Sequence, residues 1–186
     1  MPWAWEGLSF LKGVAMRKST VAAVLIAVFG AVAGVTTADV LVYFSPRGGC
    51  TDAIVKQLDS ARESVLVQAY SFTSAPIAKA LVDAHKRGVK VEVILDKSQR
   101  TERYTSATFL QNAGVPVFID DKHAIAHNKV MVIDGLAVIT GSFNFTTAAE
   151  QRNAENLLVI HDRALAARYT ANWHAHAAHS ARYAGR

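Results

Sequence analysis

From residue 40 onward, apolar positions fall in short runs that switch between strand and helix periods. Val40 to Phe44 is a continuous apolar run closed by Ser45-Pro46-Arg47-Gly48-Gly49, which reads as a buried strand ended by turn residues. Thr51 to Arg62 places Ile54, Val55 and Leu58 at helical spacing, and Ser64 to Ala69 is again a strand. Ser74 suits a helix N-cap, Pro76 a first turn and Gly88 a helix end, so a second helix fills that interval. Val89 to Leu95 alternates Val89, Val91 and Val93 with Lys90 and Glu92, the pattern of a third strand. A helix over Thr101 to Asn112, stopped by Gly114, and a short strand over Val115 to Ile119 complete this half. The rhythm predicts the α/β class: a layered α/β/α sandwich around a mixed, largely parallel sheet.

The pattern then changes. Lys129 to Ile133 and Leu136 to Thr140 are strands separated only by Asp134-Gly135, a strong hairpin signal because both turn residues can take positive φ. A last strand spans about Glu155 to Ile160, and a C-terminal helix starts near Asp162.

Ahead of all this lies a different kind of segment. Ser19 to Ala38 is a run of 20 uncharged residues preceded by Arg17-Lys18 and ending in the small residues Val35-Thr36-Thr37-Ala38. Basic flank, apolar centre and small-residue end describe a signal peptide, which assigns residues 1–38 to export and residues 39–186 to the working domain. Residues 1–15 read as an upstream extension, with Met16 as the more typical start. An uncleaved membrane anchor is the alternative, since about 20 apolar residues suffice to cross a bilayer. For a bacterial source the expected location is periplasmic or secreted. After removal of the signal no stable membrane association is expected.

Composition adds limits. The chain has 186 residues, 51% hydrophobic and 19% charged, so it is not a disordered protein. Its single cysteine, Cys50, excludes an intrachain disulfide framework and a cysteine-built zinc site. The formal charge of +5 for the whole chain permits a polyanionic partner, and excluding residues 1–38 leaves +3.

The unusual residues cluster in the hairpin. His127 and Lys129 are two apart and share a strand face. With Asp134-Gly135 as the two-residue turn, Ile133 faces Leu136, Lys129 faces Thr140 and His127 faces Ser142. Asn144, two further on, returns to the same face. An imidazole, an ammonium, a hydroxyl and an amide then share one patch. Lys129, Ser142 and Asn144 can bind phosphate oxygens, and an imidazole can act as nucleophile or proton carrier. No carboxylate cluster of a two-metal nuclease is evident, so no metal and no other cofactor are expected, the donors standing in for one.

The spacing H-x-K-x4-D-x6-G-S-x-N, carried by His127, Lys129, Asp134, Gly141, Ser142 and Asn144, resembles the HKD motif of the phospholipase D superfamily. Tyr43-Phe44-Ser45-Pro46, Gln68-Ala69-Tyr70-Ser71-Phe72-Thr73 and Gly141-Ser142-Phe143-Asn144-Phe145-Thr146 extend the likeness to small single-motif bacterial endonucleases of that superfamily. The resemblance implies a homodimer in which two motifs meet in one active site. It implies that one His127 forms a phosphohistidine while the partner's His127 handles the leaving group and then water. It assigns Lys129 and Asn144 to the phosphoryl oxygens, Ser142 near them, and Glu155 to orienting the imidazole. Asp134 and Gly141 are structural members of the motif. The expected substrate is DNA, and RNA, cut with little sequence preference. A lipid phosphodiesterase and a non-catalytic nucleic-acid-binding relative are the other readings.

Other residues carry weaker signals. Tyr70, Phe72 and Phe143 can stack on bases or pack a core. Arg47, Lys97, Arg100 and Arg103 lie near strand ends, where they can meet phosphates or water. Of His174, His176 and His179 only the last two are helically well placed for a metal, and a solvated helical tail is the favoured reading. Nothing assigns a role to His123. Cys50 reads as a small residue opening a helix, with an interchain bridge as the alternative.

Overall fold

A computed structural model describes residues 38–102 and 105–185. The expected export segment, the expected upstream extension and Arg103 lie outside these residues, apart from Ala38. Among the described residues no helix is long and apolar enough to cross a membrane.

Eight strands form one sheet: β1 (Asp39–Ser45), β2 (Ser64–Ala69), β3 (Lys90–Asp96), β4 (Val117–Asp120), β5 (Lys129–Ile133), β6 (Ala137–Gly141), β7 (Glu155–His161) and β8 (Ala181–Arg182). Their order across the sheet is β1-β7-β6-β5-β2-β3-β4-β8. The sheet is mixed, and parallel pairing is confined to β2–β3 and β3–β4. The other neighbours are antiparallel, and of these β5–β6 is joined by a tight turn.

Helices cover both faces. On one lie α1 (Cys50–Ser60), α2 (Ala75–Lys86), the short α3 (Ala107–Asn112) and α4 (Thr147–Gln151), whose apolar residues join Val65, Val67, Val93, Met131 and Val159 in the main core. On the other, α5 (Arg163–Ala177) packs Ala166 and Trp173 onto Leu66, Ile94, Val130, Val132 and Val138. The central strands β2, β3, β5 and β6 therefore feed two cores by simple alternation. Trp173 also donates its Nε1–H to the Val67 carbonyl at 2.9 Å, so its indole is buried without an orphan donor.

Local chemistry explains the element ends. Asp162 caps α5, its Oδ1 accepting from the Ala164 and Leu165 amides at 2.8 and 3.0 Å. Gly88 follows α2 at φ 92°, a left-handed helix end that suits glycine. Ser74 starts α2 without a side-chain cap bond, and its carbonyl accepts from Ala78.

Four expectations need correction. β1 is not buried: it is an edge strand paired only with β7, and Val40, Val42 and Phe44 are exposed. The helix expected from Thr101 begins only at Ala107, and a 3-10 turn at Lys97–Arg100 follows β3. Strand β8, just two residues, carried no sequence signal.

The fourth concerns the hairpin register. Asp134 (φ 53°) and Gly135 (φ 62°) form the turn, and the Leu136 amide donates to the Ile133 carbonyl at 2.9 Å. Yet Ile133 is paired with Ala137, not Leu136. Leu136 is an extra residue on the second strand, a bulge, because its carbonyl is taken by the Asp162 amide at 3.1 Å. The whole ladder moves by one, so His127 does not lie opposite Ser142, nor Lys129 opposite Thr140.

Candidate active site

His127 is the last but one residue before β5, on the loop that follows β4, and its imidazole is exposed. The Tyr70 ring stands against it, centroids 4.6 Å apart and planes tilted by 50°. Tyr70 follows the end of β2 and is tied to this loop by its amide, which donates to the Asn128 carbonyl at 2.9 Å.

Lys129, by contrast, is 7% exposed. Its Nζ donates to the His127 carbonyl at 2.7 Å and lies 5.1 Å from the Tyr70 ring centroid. An ammonium carries three donors, and among the described residues this one uses a single hydrogen bond. Burial holds its pKa below the ordinary lysine value, and the Glu155 carboxylate works in the opposite direction.

The rest of the motif is held by a second bulge. Gly141 has φ 146°, and the Ser142 and Phe143 amides both donate to the Asn156 carbonyl, at 3.1 and 3.2 Å. A Cβ on Gly141 would stand 2.3 Å from that same carbonyl oxygen, so the approach admits glycine alone. Phe143 and Phe145 are fully buried, each contributing roughly 1.5–3 kcal/mol of apolar burial. By anchoring inward they leave Ser142 and Asn144 as the intervening polar positions. Phe145 also ties this segment to the end of β2: its carbonyl accepts from the Thr73 and Ser74 amides at 2.9 Å, and its ring meets Phe72 edge-on.

Ser142 Oγ accepts from the Asn156 amide at 3.1 Å and from Asn156 Nδ2 at 3.3 Å, which leaves its hydroxyl proton to offer. Asn144 Oδ1 is buried without a hydrogen-bond partner. Glu155 opens β7, its amide donating to Ser45 Oγ at 3.2 Å and its carboxylate accepting from Asn153 Nδ2 at 3.2 Å. It acts on Lys129 through its charge and makes no hydrogen bond to His127. At the far end of the hairpin, the Asp134 carboxylate accepts from the Arg62, Glu63 and Ser64 amides, the nearest at 2.8 Å.

Residues 54–176 match the family described as "Cardiolipin synthase, PLD-like domain", about two thirds of the chain. The chain belongs to the phospholipase D superfamily. A phospholipase D of Rickettsia felis is 50% identical over 130 residues, covering 70% of this chain and 65% of the relative. A mitochondrial cardiolipin hydrolase of Xenopus laevis is 35% identical over 116 residues, covering 62% of this chain and 55% of that protein. The chain thus spans about 65% of the length of the curated Rickettsia relative. Among solved structures, the phospholipase D family member Nuc from Salmonella typhimurium superposes with a TM-score of 0.76 at 38% identity, over 79% of this chain and 99% of Nuc. NucT from Helicobacter pylori shares the fold, with a TM-score of 0.74 at 24% identity, over 79% of this chain and all of that one.

Within this phospholipase D-like domain the weaker candidates separate. Phe72 and Phe143 are core residues, and only Tyr70 reaches the site. Lys97 donates to the His123 carbonyl at 3.0 Å and Arg100 pairs with Asp121 at 3.3 Å, so both brace the loop ahead of His127. Cys50 is buried at the start of α1, and burial pushes its thiol up to about 11, with Glu150 adding to the shift. Glu150, which the sequence did not single out, caps α1 from across the fold by accepting from the Gly49 and Thr51 amides at 3.1 and 2.7 Å.

His174 is exposed, but His176 and His179 are not a solvated tail. His176, in the last turn of α5, and His179, just beyond it, converge with His123 on the Asp120 carboxylate at the end of β4. Burial alone would raise the Asp120 carboxyl, but hydrogen bonds with His176 and His123, and the His179 ring beside them, hold it well below the usual carboxylate range. Sequence reasoning missed this cluster because Asp120 and His176 are 56 positions apart.

Proposed function

We propose that this protein is a metal-independent phosphodiesterase that cuts DNA, and RNA, with little sequence specificity at an active site shared by two copies of the chain. The observation that carries the reading is Lys129: a buried ammonium that makes one hydrogen bond beside an exposed imidazole calls for an anion with several oxygens. A phosphodiester supplies them. The Ser142 hydroxyl and Asn144 amide add neutral donors to the same oxygens.

In the proposed reaction His127 attacks phosphorus in line, forming a P–N bond as the P–O bond to the leaving oxygen breaks. The partner's His127 gives that oxygen its proton. It then takes a proton from water, which attacks phosphorus and breaks the P–N bond, returning both imidazoles to their starting state. A single His127 cannot be both nucleophile and acid, and the chain has one motif, so the reading requires two chains about a two-fold axis. Ile125, 56% exposed and two residues from His127, offers apolar surface for such a contact. Glu155, whose carboxylate here accepts from Asn153 Nδ2, is the group that turns to orient the imidazole in this reading. Residues 1–38 direct the domain to the periplasm or the exterior.

A lipid phosphodiester is the second reading, favoured by the relatives named phospholipase D and mitochondrial cardiolipin hydrolase. Plasmid DNA, single-stranded RNA and vesicles of phosphatidylcholine with cardiolipin, each incubated in EDTA with the protein and with His127→Ala, separate the two. Nucleic-acid cleavage that persists in EDTA and disappears in the variant supports the first reading. Release of lipid headgroups with intact DNA and RNA supports the second. Full activity from a protein that sediments as a monomer overturns the shared site.

A further inference from the structure

The geometry points to a structural zinc site formed by Asp120, His123, His176 and His179, separate from the phosphodiester site. One ligand atom from each of these residues can be chosen so that all four lie within 4.8 Å of one another. His123 Nδ1 is 3.0 Å and His176 Nδ1 2.7 Å from Asp120 Oδ2, and His179 Nε2 is 3.4 Å from Oδ1. The three ring centroids are 4.9, 5.3 and 5.4 Å apart, a nearly equilateral arrangement around one carboxylate. A tetrahedral zinc ion with ligand bonds of about 2.0–2.1 Å holds its donors about 3.3 Å from each other, within the range these atoms already span.

Hydrogen bonding alone leaves the cluster incomplete. His179 Nε2 is buried and makes no hydrogen bond, although it points at the carboxylate. A buried ring nitrogen without a partner costs free energy, which a metal ion recovers. Three neutral imidazoles and one carboxylate form a borderline-soft set that suits zinc better than calcium or magnesium. Four protein ligands also close the coordination sphere, which marks a structural site and leaves no open position for a catalytic water.

The ion would join three segments, of which the end of α5 is far from the other two along the chain. Asp120 ends β4, His176 and His179 end α5 just before β8, and His123 belongs to the 121–128 loop that delivers His127. The same loop is braced by Lys97 on the His123 carbonyl and by the Ala126 amide on Asp96 Oδ2 at 2.7 Å. Zinc would thereby act as a clasp that fixes the C-terminal helix and stiffens the approach to His127.

The test uses tag-free protein stripped of metal with a strong chelator and dialysed against micromolar Zn2+. The expected result is about one zinc per chain by elemental analysis, a thermal midpoint that rises on zinc addition, and the intense visible spectrum of tetrahedral Co2+ when cobalt replaces zinc. His176→Gln/His179→Gln should weaken binding at least tenfold and abolish the midpoint shift, whereas His174→Gln, outside the cluster, should bind as the parent does. Should the double variant fail to fold by circular dichroism, His123→Gln serves instead, its side chain being partly exposed. Less than a tenth of a zinc per chain, an octahedral cobalt spectrum, or unchanged binding in a folded variant overturns the site. All readouts are independent of hydrolysis.

Discussion

The Lys129 ammonium lies 5.1 Å from the centroid of the Tyr70 ring, and the same ring stands 4.6 Å from the His127 imidazole. One aromatic side chain thus supports both the cation and the imidazole of the motif. Tyr70 reaches that position because its amide is bonded to the loop between them, at Asn128. Contact with the ring contributes roughly 0.5–2 kcal/mol to placing the cation. Tyr70→Ala should therefore lower kcat/KM about 3- to 30-fold, while Tyr70→Phe, which keeps the ring, should stay within about threefold. Equal losses in both variants would instead assign the effect to the hydroxyl.

His127 is exposed and makes no hydrogen bond through its ring, so removing it should leave the fold intact. His127→Ala should unfold in urea within about 0.5 kcal/mol of the parent. With the proposed roles of nucleophile and proton carrier lost together, its hydrolysis should fall by at least about 10⁴-fold. Residual activity within tenfold of the parent would remove His127 from the chemistry.

The pH profile follows from Lys129. In the proposed site its protonated form binds phosphate, and burial lowers its pKa. Activity should accordingly fall on the alkaline side at a pH below the ordinary lysine range near 10.4. Glu155 raises the Lys129 pKa, so Glu155→Gln should move that limb to still lower pH. Lys129→Arg should have no limb of this origin, because a guanidinium does not titrate there, although misfit geometry lowers its rate. Measuring kcat/KM against pH for the three proteins checks the sign.

Gly141 tests the second bulge. At φ 146° and with the Asn156 carbonyl 2.3 Å from any added Cβ, Gly141→Ala should destabilise by at least about 2 kcal/mol in urea. Activity should fall with it, because Ser142 and Asn144 are aimed by this bulge.

Asp134 should behave differently from its motif neighbours. Its carboxylate accepts from three backbone amides that close the turn onto the start of β2, and hydrogen bonds to a charged group contribute about 1.5–3 kcal/mol each when removed. Asp134→Ala should lower the thermal midpoint yet retain kcat below that midpoint. A large kcat loss in a fully folded protein would place Asp134 in the chemistry.

Much of this was legible in order along the chain. The strand and helix alternation of residues 64–119, the Asp134-Gly135 turn and the His127-Lys129 pair all depend on contacts between near neighbours, which leave a period or a turn signature. What was not legible depends on single extra residues. Leu136 and the Gly141 bulge each shift a register by one, and side-chain periodicity carries no trace of which residue will be unpaired. The expected opposition of His127 and Ser142 failed for that reason.

The sequence by itself determined the α/β class and the superfamily, because motif spacing and hydrophobic period are local properties. The tertiary structure decided where strands join antiparallel, which aromatic side chain lies beneath Lys129, and that His123, His176 and His179 gather on Asp120. The last of these arises from how α5 packs on the far face of the sheet and leads into β8. These outcomes rest on contacts between distant residues, and distance along the chain sets no pattern that a linear reading can detect.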